Sequence, residues 1–407
     1  MPGHSSSRLA ALAAADPAAH ELAERLLEIA ERGLPAMYRP RSREYAHTRI
    51  GTDQVRGTSL RYAAMVALGA RFVAEDRQTA VLSGQTSEQL TGLLVDRLPA
   101  STDLGDAALI CWAAAEHRHP GLPDALARLA AIDTADRNHT AAPLPRQVVE
   151  SAWVVSALAA ARHQQDVEQH LTRARGRLLG ARPPGSPLFP RHTVPGTSAW
   201  YRSHVACFAD QVYPIQALAR LHASDSDPEA LAAADDCAAR ICELQGEAGQ
   251  WWWHYDARDG SLIEGYPVYS VHQHAMAPMA LLDLAEAGGA DHGEAVRRGL
   301  HWMSAPPELA ANDVSLIQDA HAATWRKVYR GDPRKVVRGF RGLTTSVRPG
   351  WRLAALDRVL PPTAVDRECR PYEFGWLLFA WLGSPDTSPD TSLGAPLDTP
   401  LDTEGTR

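Results

Sequence analysis

The chain is 407 residues long, with 45% hydrophobic and 22% charged residues, a composition ordinary for a soluble globular enzyme and too apolar for wholesale disorder. Its formal net charge of -7 argues against a dedicated nucleic-acid binder, although a local basic patch can still attract an anionic substrate. Five scattered cysteines without CxxC spacing predict neither a disulfide framework nor a zinc ribbon. The N-terminus lacks a secretory apolar stretch and no run approaches the roughly 18 apolar residues of a membrane span. A cytoplasmic location is therefore expected, with room for peripheral membrane contact.

Short Ala- and Leu-rich helices separated by Pro, Gly and Asp turns are predicted along the chain, with almost no alternating β-branched runs. The first opens in ADPAAHELAERLLEIAERG, where Asp16 is placed to cap, Pro17 suits the first helical position and Gly33 can end the helix. Thr86 with Gln89 three residues on forms a capping-box pattern. Further helices are predicted at about 103–117, 122–131, 146–162, 165–178, 205–222, 228–244, 272–287, 291–303, 314–329 and 366–382. Many are apolar around most of their circumference, as helices packed between two neighbours are.

A loose repeat pairs an apolar helix with a more polar partner, as in SALAAARHQQDVEQHLTRARGRLL and ALLDLAEAGGADHGEAVRRGLHWM. Helical hairpins recurring this way predict an all-α fold, an α/α toroid in which a ring of hairpins carries function on the loops of one rim. The expected organisation is an N-terminal helical region over 1–58, the toroid over 59–383 and a disordered Pro/Asp/Thr/Ser tail over 384–407. The Pro-rich stretch GARPPGSPLFPRHTVPGTSAWYRS is either an active-site lid or a plain crossing loop.

In ELQGEAGQWWWHYD, Gln245, Gly249 and Trp251 satisfy a QxxxGxW pattern at a helix end. At this point the chain resembles the squalene-cyclase and protein-prenyltransferase superfamily of α/α toroids. The resemblance implies that these three residues tie one outer helix to its neighbour. The chain departs from that family's chemistry: it has no DxDD, the nearest residues being Asp133 and Asp136, no DDxxD for a diphosphate-bound magnesium cluster, and no assignable zinc ligands.

Residue by residue, 250–274 offers Trp252, Trp253, His254, Glu264, Tyr266, Tyr269 and His272. Aromatic faces stabilise a carbocation and stack equally well on a sugar ring. His272 and Glu264 are plausible proton-transfer groups, with His254, Tyr269 and Asp210 as further catalytic candidates. Three adjacent tryptophans are also a common packing device, and His272 and His274, two apart, point to different faces and are no metal pair. Polar residues inside apolar helices require partners or a wetted cavity. Four helices show them: Asp210, Gln211 and Tyr213; Glu150 and Trp153; Arg61 with Tyr62; and Arg370 ahead of Glu373. The run Arg326, Lys327, Arg330, Arg334, Lys335, Arg338 and Arg341 holds one acid, Asp332. It suits a diphosphate, a uronate or an anionic membrane surface, or is a solvated face.

The resemblance implies a terpenoid-cyclase-like enzyme that starts carbocation cyclisation of an isoprenoid with an acid. No cofactor is expected, with Mg2+ only for a diphosphate substrate. The alternatives are a carbohydrate-active toroid enzyme, a uronate epimerase, lyase or hydrolase with Asp210 and Glu264 as the carboxylate pair, and a non-catalytic binding scaffold.

Overall fold

The computed structural model describes residues 4–134, 145–312, 314–353 and 355–383. Its helices are α1 (Ser7–Ala15), α2 (Pro17–Gly33), α3 (Leu60–Ala70), α4 (Glu75–Val81), α5 (Ser87–Arg97), α6 (Leu104–Glu116), α7 (Leu122–Thr134) and α8 (Val148–Ala161). They continue with α9 (Glu168–Leu179), α10 (Ala209–Asp225), α11 (Pro228–Glu243), α12 (Ala277–Glu286), α13 (Gly293–Ser304), α14 (Val336–Val347), α15 (Ala355–Val359) and α16 (Pro371–Leu382). A π-helical turn, His272–Met276, leads into α12.

Six of these helices form a closed inner ring. Each of α3, α6, α8, α10, α12 and α16 packs on the next, and α16 returns to α3. The inner helices are apolar almost all round: every residue of α16 except Tyr372 is buried, as are most of α6 and α8. Outside them α2, α5, α7, α9, α11 and α13 pack on the ring and present one apolar stripe inward, as Leu22, Leu26, Leu27 and Ala30 do on α2. The all-α toroid is thus present, built from six inner and six outer helices among the described residues.

Ring closure depends on two glycines. A Cβ on Gly69 of α3 would sit 1.9 Å from the carbonyl oxygen of Gly375, and one on Gly375 of α16 would sit 2.5 Å from that of Met65. Only two bare backbones fit at that separation.

Local signals set the helix starts. Asp16 accepts the Ala19 N–H at 3.0 Å ahead of Pro17, and Thr86 and Gln89 form the reciprocal capping box. Strands are short: β1 (Tyr38–Arg39), β2 (Glu44–Tyr45), β3 (Thr48–Ile50), β4 (Gln54–Arg56), β5 (Val205–Cys207), β6 (His254–Asp256), β7 (Leu262–Glu264), β8 (Val268–Tyr269), β9 (Ile317–Gln318), β10 (Ala323–Thr324), β11 (Lys327–Tyr329), β12 (Ala364–Asp366) and β13 (Glu368–Cys369). They make small antiparallel sheets, with orders β5-β6-β7, β12-β11-β8 and β13-β3-β4 in the three-stranded ones.

Three expected helices change. The helix expected at 314–329 is the β9–β10 hairpin followed by β11, because Ala322 turns the chain at φ 45° and the strands find partners in β8 and β12. Helix α10 begins at 209, since 205–207 pairs with β6. Helix α16 begins at Pro371, whose fixed φ suits a first helical position. Residues before 59 contribute to the ring: α2 packs on α13 and α16, and β3 pairs with β13. The expected tail, 384–407, lies outside the described residues. Among the described residues no helix is long and apolar enough to cross a membrane.

Candidate functional site

The N-terminal ends of α3, α6, α8, α10 and α16 meet at one mouth of the ring. At its centre Arg61, on α3, places Nη2 2.6 Å from Asp103 Oδ1 and 3.9 Å from Glu150 Oε1, and Nε 3.8 Å from Asp106 Oδ1. Three carboxyl groups from two further helices therefore surround one guanidinium. Each helix end supplies them for its own reason: Asp103 is the N-cap of α6, accepting the Asp106 N–H at 2.8 Å, while Asp106 and Glu150 sit in first turns, where a negative charge faces the positive helix end. Gly105 leaves the space: a Cβ there would lie 2.6 Å from Arg61 Nη2 and 2.9 Å from Trp153.

The three carboxyls are not equivalent. Burial pushes Asp106 and Glu150 above the ordinary carboxylate range, and the charge of Asp103 adds to it in both. Burial acts on Asp103 too, but the donated Asp106 N–H and the Arg61 guanidinium outweigh it and hold Asp103 low. The cluster thus holds carboxyls of unlike proton affinity, Asp106 and Glu150 raised and Asp103 lowered, the kind of separation that acid–base chemistry uses.

Aromatic faces adjoin the carboxyls. The Arg61 guanidinium stacks 5.1 Å from the Trp153 ring, which meets Tyr213 at 5.0 Å, and the Tyr213 hydroxyl accepts from Trp376 Nε1 at 2.9 Å. Across the mouth Tyr62 lies 4.6 Å from Tyr372 and stacks on His47 at 5.1 Å, and its hydroxyl accepts from Arg370 Nη1 at 3.0 Å. Arg370 also pairs with Glu368 at 3.0 Å. Below the mouth the axis is filled by Trp376, Trp112 and Phe379, with ring centroids 5.7–5.9 Å apart.

The 250–274 segment forms a second aromatic cluster. Trp253, Tyr269, His272 and Phe208 lie with centroids 4.4–5.6 Å apart. His272 is pushed well below its ordinary pKa by burial and then by Arg326, and His254 by burial and then by Arg338. Both imidazoles are neutral at ordinary pH, so neither is a standing acid. Burial raises Tyr269, whose ring carries Arg326 at 4.9 Å.

Several expected site residues sit away from this mouth, in contacts within the fold. Glu264 is fully buried and held by Arg341 at 2.7 Å and Arg330 at 3.2 Å, with Asp357 bridging the same arginines. Both Glu264 oxygens are thus taken up by guanidiniums, away from Asp210, whose carboxyl is engaged at the start of α10. Asp210 accepts the Cys207 N–H at 2.7 Å where α10 begins, in a buried setting that raises its pKa. Gln211 spans to Phe189, accepting from its N–H at 2.9 Å and donating to its carbonyl at 3.0 Å. Trp252 packs edge-on to Tyr266 at 5.7 Å, and the Tyr266 hydroxyl donates to Glu308 at 2.6 Å.

The QxxxGxW corner is structural. Gln245 Nε2 donates to the carbonyls of Gly249 at 3.0 Å and Ala295 at 2.8 Å, joining the end of α11 to α13. Gly249 has φ +97° and a Cβ there would lie 2.0 Å from the Arg298 carbonyl oxygen, while Trp251 is fully buried.

Asp103 and Asp106 carry no sequence signal beyond capping, since acids at a helix start read as caps. Glu373, also at the mouth, is fully buried, and Arg326 Nε lies 3.6 Å from its Oε1. Burial raises its pKa from 4.5 to about 7. The folded state therefore holds this proton more tightly than the unfolded chain. The resulting stability is present below the unfolded value and is lost as pH rises through about 7. At 1.36 kcal/mol per unit the loss is about 3 kcal/mol. Denaturant unfolding at pH 5 and pH 8 checks this: Glu373→Gln flattens the decline by about that amount, and parallel profiles for variant and parent refute it.

Among the described residues no group of three or more His, Cys, Asp or Glu side chains is arranged to hold a metal ion. No protein-family model matches the sequence, and no curated protein does. Solved structures do match in fold. An unsaturated glucuronyl hydrolase specific for heparin is 12% identical, with 90% of this chain and 96% of that one covered, at a TM-score of 0.55. A mutant unsaturated glucuronyl hydrolase from Streptococcus agalactiae, complexed with dGlcA-GalNAc6S, is 12% identical over 90% of each chain at 0.54. A possible GH105 family member from Salmonella enterica serovar Paratyphi A is 10% identical, with 88% and 93% covered, at 0.53.

These likenesses uphold the α/α toroid and overturn the terpenoid-cyclase expectation, with its isoprenoid substrate. The geometry agrees with the correction. A polyene needs an open apolar chamber, whereas the axis is plugged by Trp112, Trp376 and Phe379, and the cluster proposed to protonate it holds neutral imidazoles. The resemblance rested on a corner between outer helices, which carries no chemistry.

Proposed function

We propose that the protein is a carbohydrate-active enzyme, a hydrolase that cleaves a uronate-bearing glycan at the mouth of the ring. One observation carries the reading: Asp103, Asp106 and Glu150 converge on Arg61 beside the face of Trp153. The glucuronyl hydrolases of similar fold lend support.

Glu150 and Trp153 are three residues apart on α8, hence on one face. A sugar ring bound at the mouth over the stacked Arg61–Trp153 pair brings its glycosidic oxygen towards Glu150. In this mechanism Glu150 gives its proton to that oxygen as the C–O bond breaks. Asp106, fixed by Ser101 Oγ at 3.0 Å, orients water and takes up its proton as the new C–O bond forms. Asp103 stays anionic and holds Arg61 in place. Arg370, beside the Tyr62 hydroxyl, supplies positive charge for the uronate carboxylate.

The test is incubation of the purified protein with oligosaccharides ending in an unsaturated uronate and with their saturated counterparts. Expected is loss of the ultraviolet absorbance of the unsaturated sugar, or new reducing ends from the saturated one, each with uptake of one oxygen from labelled water. A new unsaturated uronate product would mean elimination and sink the hydrolytic reading; no turnover of either panel would sink the carbohydrate reading.

A further inference from the structure

Helix α14 is amphipathic in a direction opposite to need. Its inward face, Val337, Arg341, Gly342 and Thr345, is buried, with Arg341 on Glu264 and the Thr345 hydroxyl 2.9 Å from His204 Nε2. Its outward face is apolar: Val336, Phe340, Leu343 and Val347, spaced four, three and four apart, are exposed, Phe340 at 51% and Val347 at 70%. Trp351, Val359 and, on the turn that packs against α14, Trp200 and Tyr201 extend the apolar surface. Isolated exposed apolar side chains are ordinary, but a continuous helical stripe with two tryptophans is an interaction face.

The charge around this stripe identifies what covers it. Residues 326–358 hold ten lysines and arginines against two aspartates, a net charge of +8 in a chain whose total is -7. Arg326, Arg330 and Arg341 spend their charge on buried carboxylates. Lys335, Arg348 and Arg358, and Arg202 beside Gly342, are exposed and make no ion pair among the described residues. A second copy of the chain would bring positive charge against positive charge. A polyanionic glycan would match the charge and leave Phe340, Leu343 and Val347 in water. Apolar and aromatic side chains on one face, flanked by unpaired cations, match an interface whose outer layer is anionic and whose next layer is hydrocarbon.

We propose that α14, with Trp351 and Trp200, docks the protein on an anionic lipid bilayer. The helix lies on β7, in the sheet β5-β6-β7. Strand β5 leads into α10, and β8, after β7, leads into the π turn that opens α12, so the docking helix is joined through this sheet to two inner helices of the ring. Binding is read without turnover, so this inference stands or falls separately from the reaction proposed above.

The experiment is flotation of the full chain with phosphatidylcholine vesicles and with vesicles that also contain phosphatidylglycerol, at low and high salt. Expected is binding to the anionic vesicles alone, weakened by salt, and reduced about tenfold or more by Phe340→Glu with Val347→Glu. Lys335→Glu with Arg348→Glu gives an independent reduction through charge, and circular dichroism confirms that each variant is folded. Failure of the unmodified chain to bind anionic vesicles at low salt would overturn the proposal. So would unchanged binding by both folded variants, or a dimer in light scattering that Phe340→Glu abolishes, which would make a second copy the occupant.

Discussion

Glu150→Gln lowers kcat for hydrolysis of a uronate-bearing oligosaccharide by roughly two to four orders of magnitude and leaves KM nearly unchanged. Glutamine keeps the shape and the hydrogen-bonding reach of the side chain and removes only the transferable proton. The stack of Arg61 on Trp153 and the pairing of Arg61 with Asp103 are untouched, so ground-state binding persists. The pH profile carries a second signature. Burial raises Glu150 above the ordinary carboxylate range, so activity in the parent extends to higher pH than a free glutamate would allow and then falls as the acid ionises. In the variant that alkaline limb disappears. Steady-state kinetics across pH, with the thermal midpoint as a folding control, decides it: a variant within tenfold of the parent removes Glu150 from the chemistry and leaves Asp106 as the remaining raised carboxyl.

Gly69→Ala lowers the stability of the ring by about 3 kcal/mol or more. The added methyl would lie 1.9 Å from the Gly375 carbonyl oxygen, and that atom belongs to backbone, so no side chain can swing aside. Relief requires α3 and α16 to separate. Separation loosens Tyr62 against Tyr372 and Arg370 at the mouth, since all three sit one or two turns away on the same two helices. Urea unfolding measures the loss. Gly339→Ala, on the exposed surface of α14 with no atom within 4 Å of the new methyl, is the matched control and costs nothing comparable. Equal midpoints for the two variants would show that the helices reseat without penalty.

Much of the fold was legible because it is written locally. Asp16, Pro17, Thr86 and Gln89 announce helix starts through their own chemistry, and the all-round apolar runs of α6, α8 and α16 announce an inner layer. The 314–329 segment misled because its spacing of apolar residues suits a helix, while its conformation is fixed by β8 and β12, partners distant in sequence. The site was half legible for the same reason. Arg61, Glu150, Trp153 and Arg370 stand out as polar or bulky groups at the heads of apolar helices. Glu264 stood out equally, yet its partners Arg330 and Arg341 lie 66 and 77 residues away and cannot be read from its own stretch of sequence. Asp103 and Asp106 were hidden by having an ordinary local explanation as capping residues. Only the ring, which brings three helix heads together, sets them with Glu150 around Arg61.

Closure of the ring by α3 against α16 also bears on how the chain acquires its structure. Tyr62 and Arg370 are 308 positions apart, and every intervening hairpin is synthesised before α16 emerges. Until then α3 and α12 each present a bare flank. Without α16 the ring would be an open arc of stacked hairpins with exposed apolar edges, the kind of surface that chaperones hold and that aggregates when left alone. The last inner helix therefore acts as a latch: its docking converts an arc into a cylinder and brings the helix heads of the mouth together.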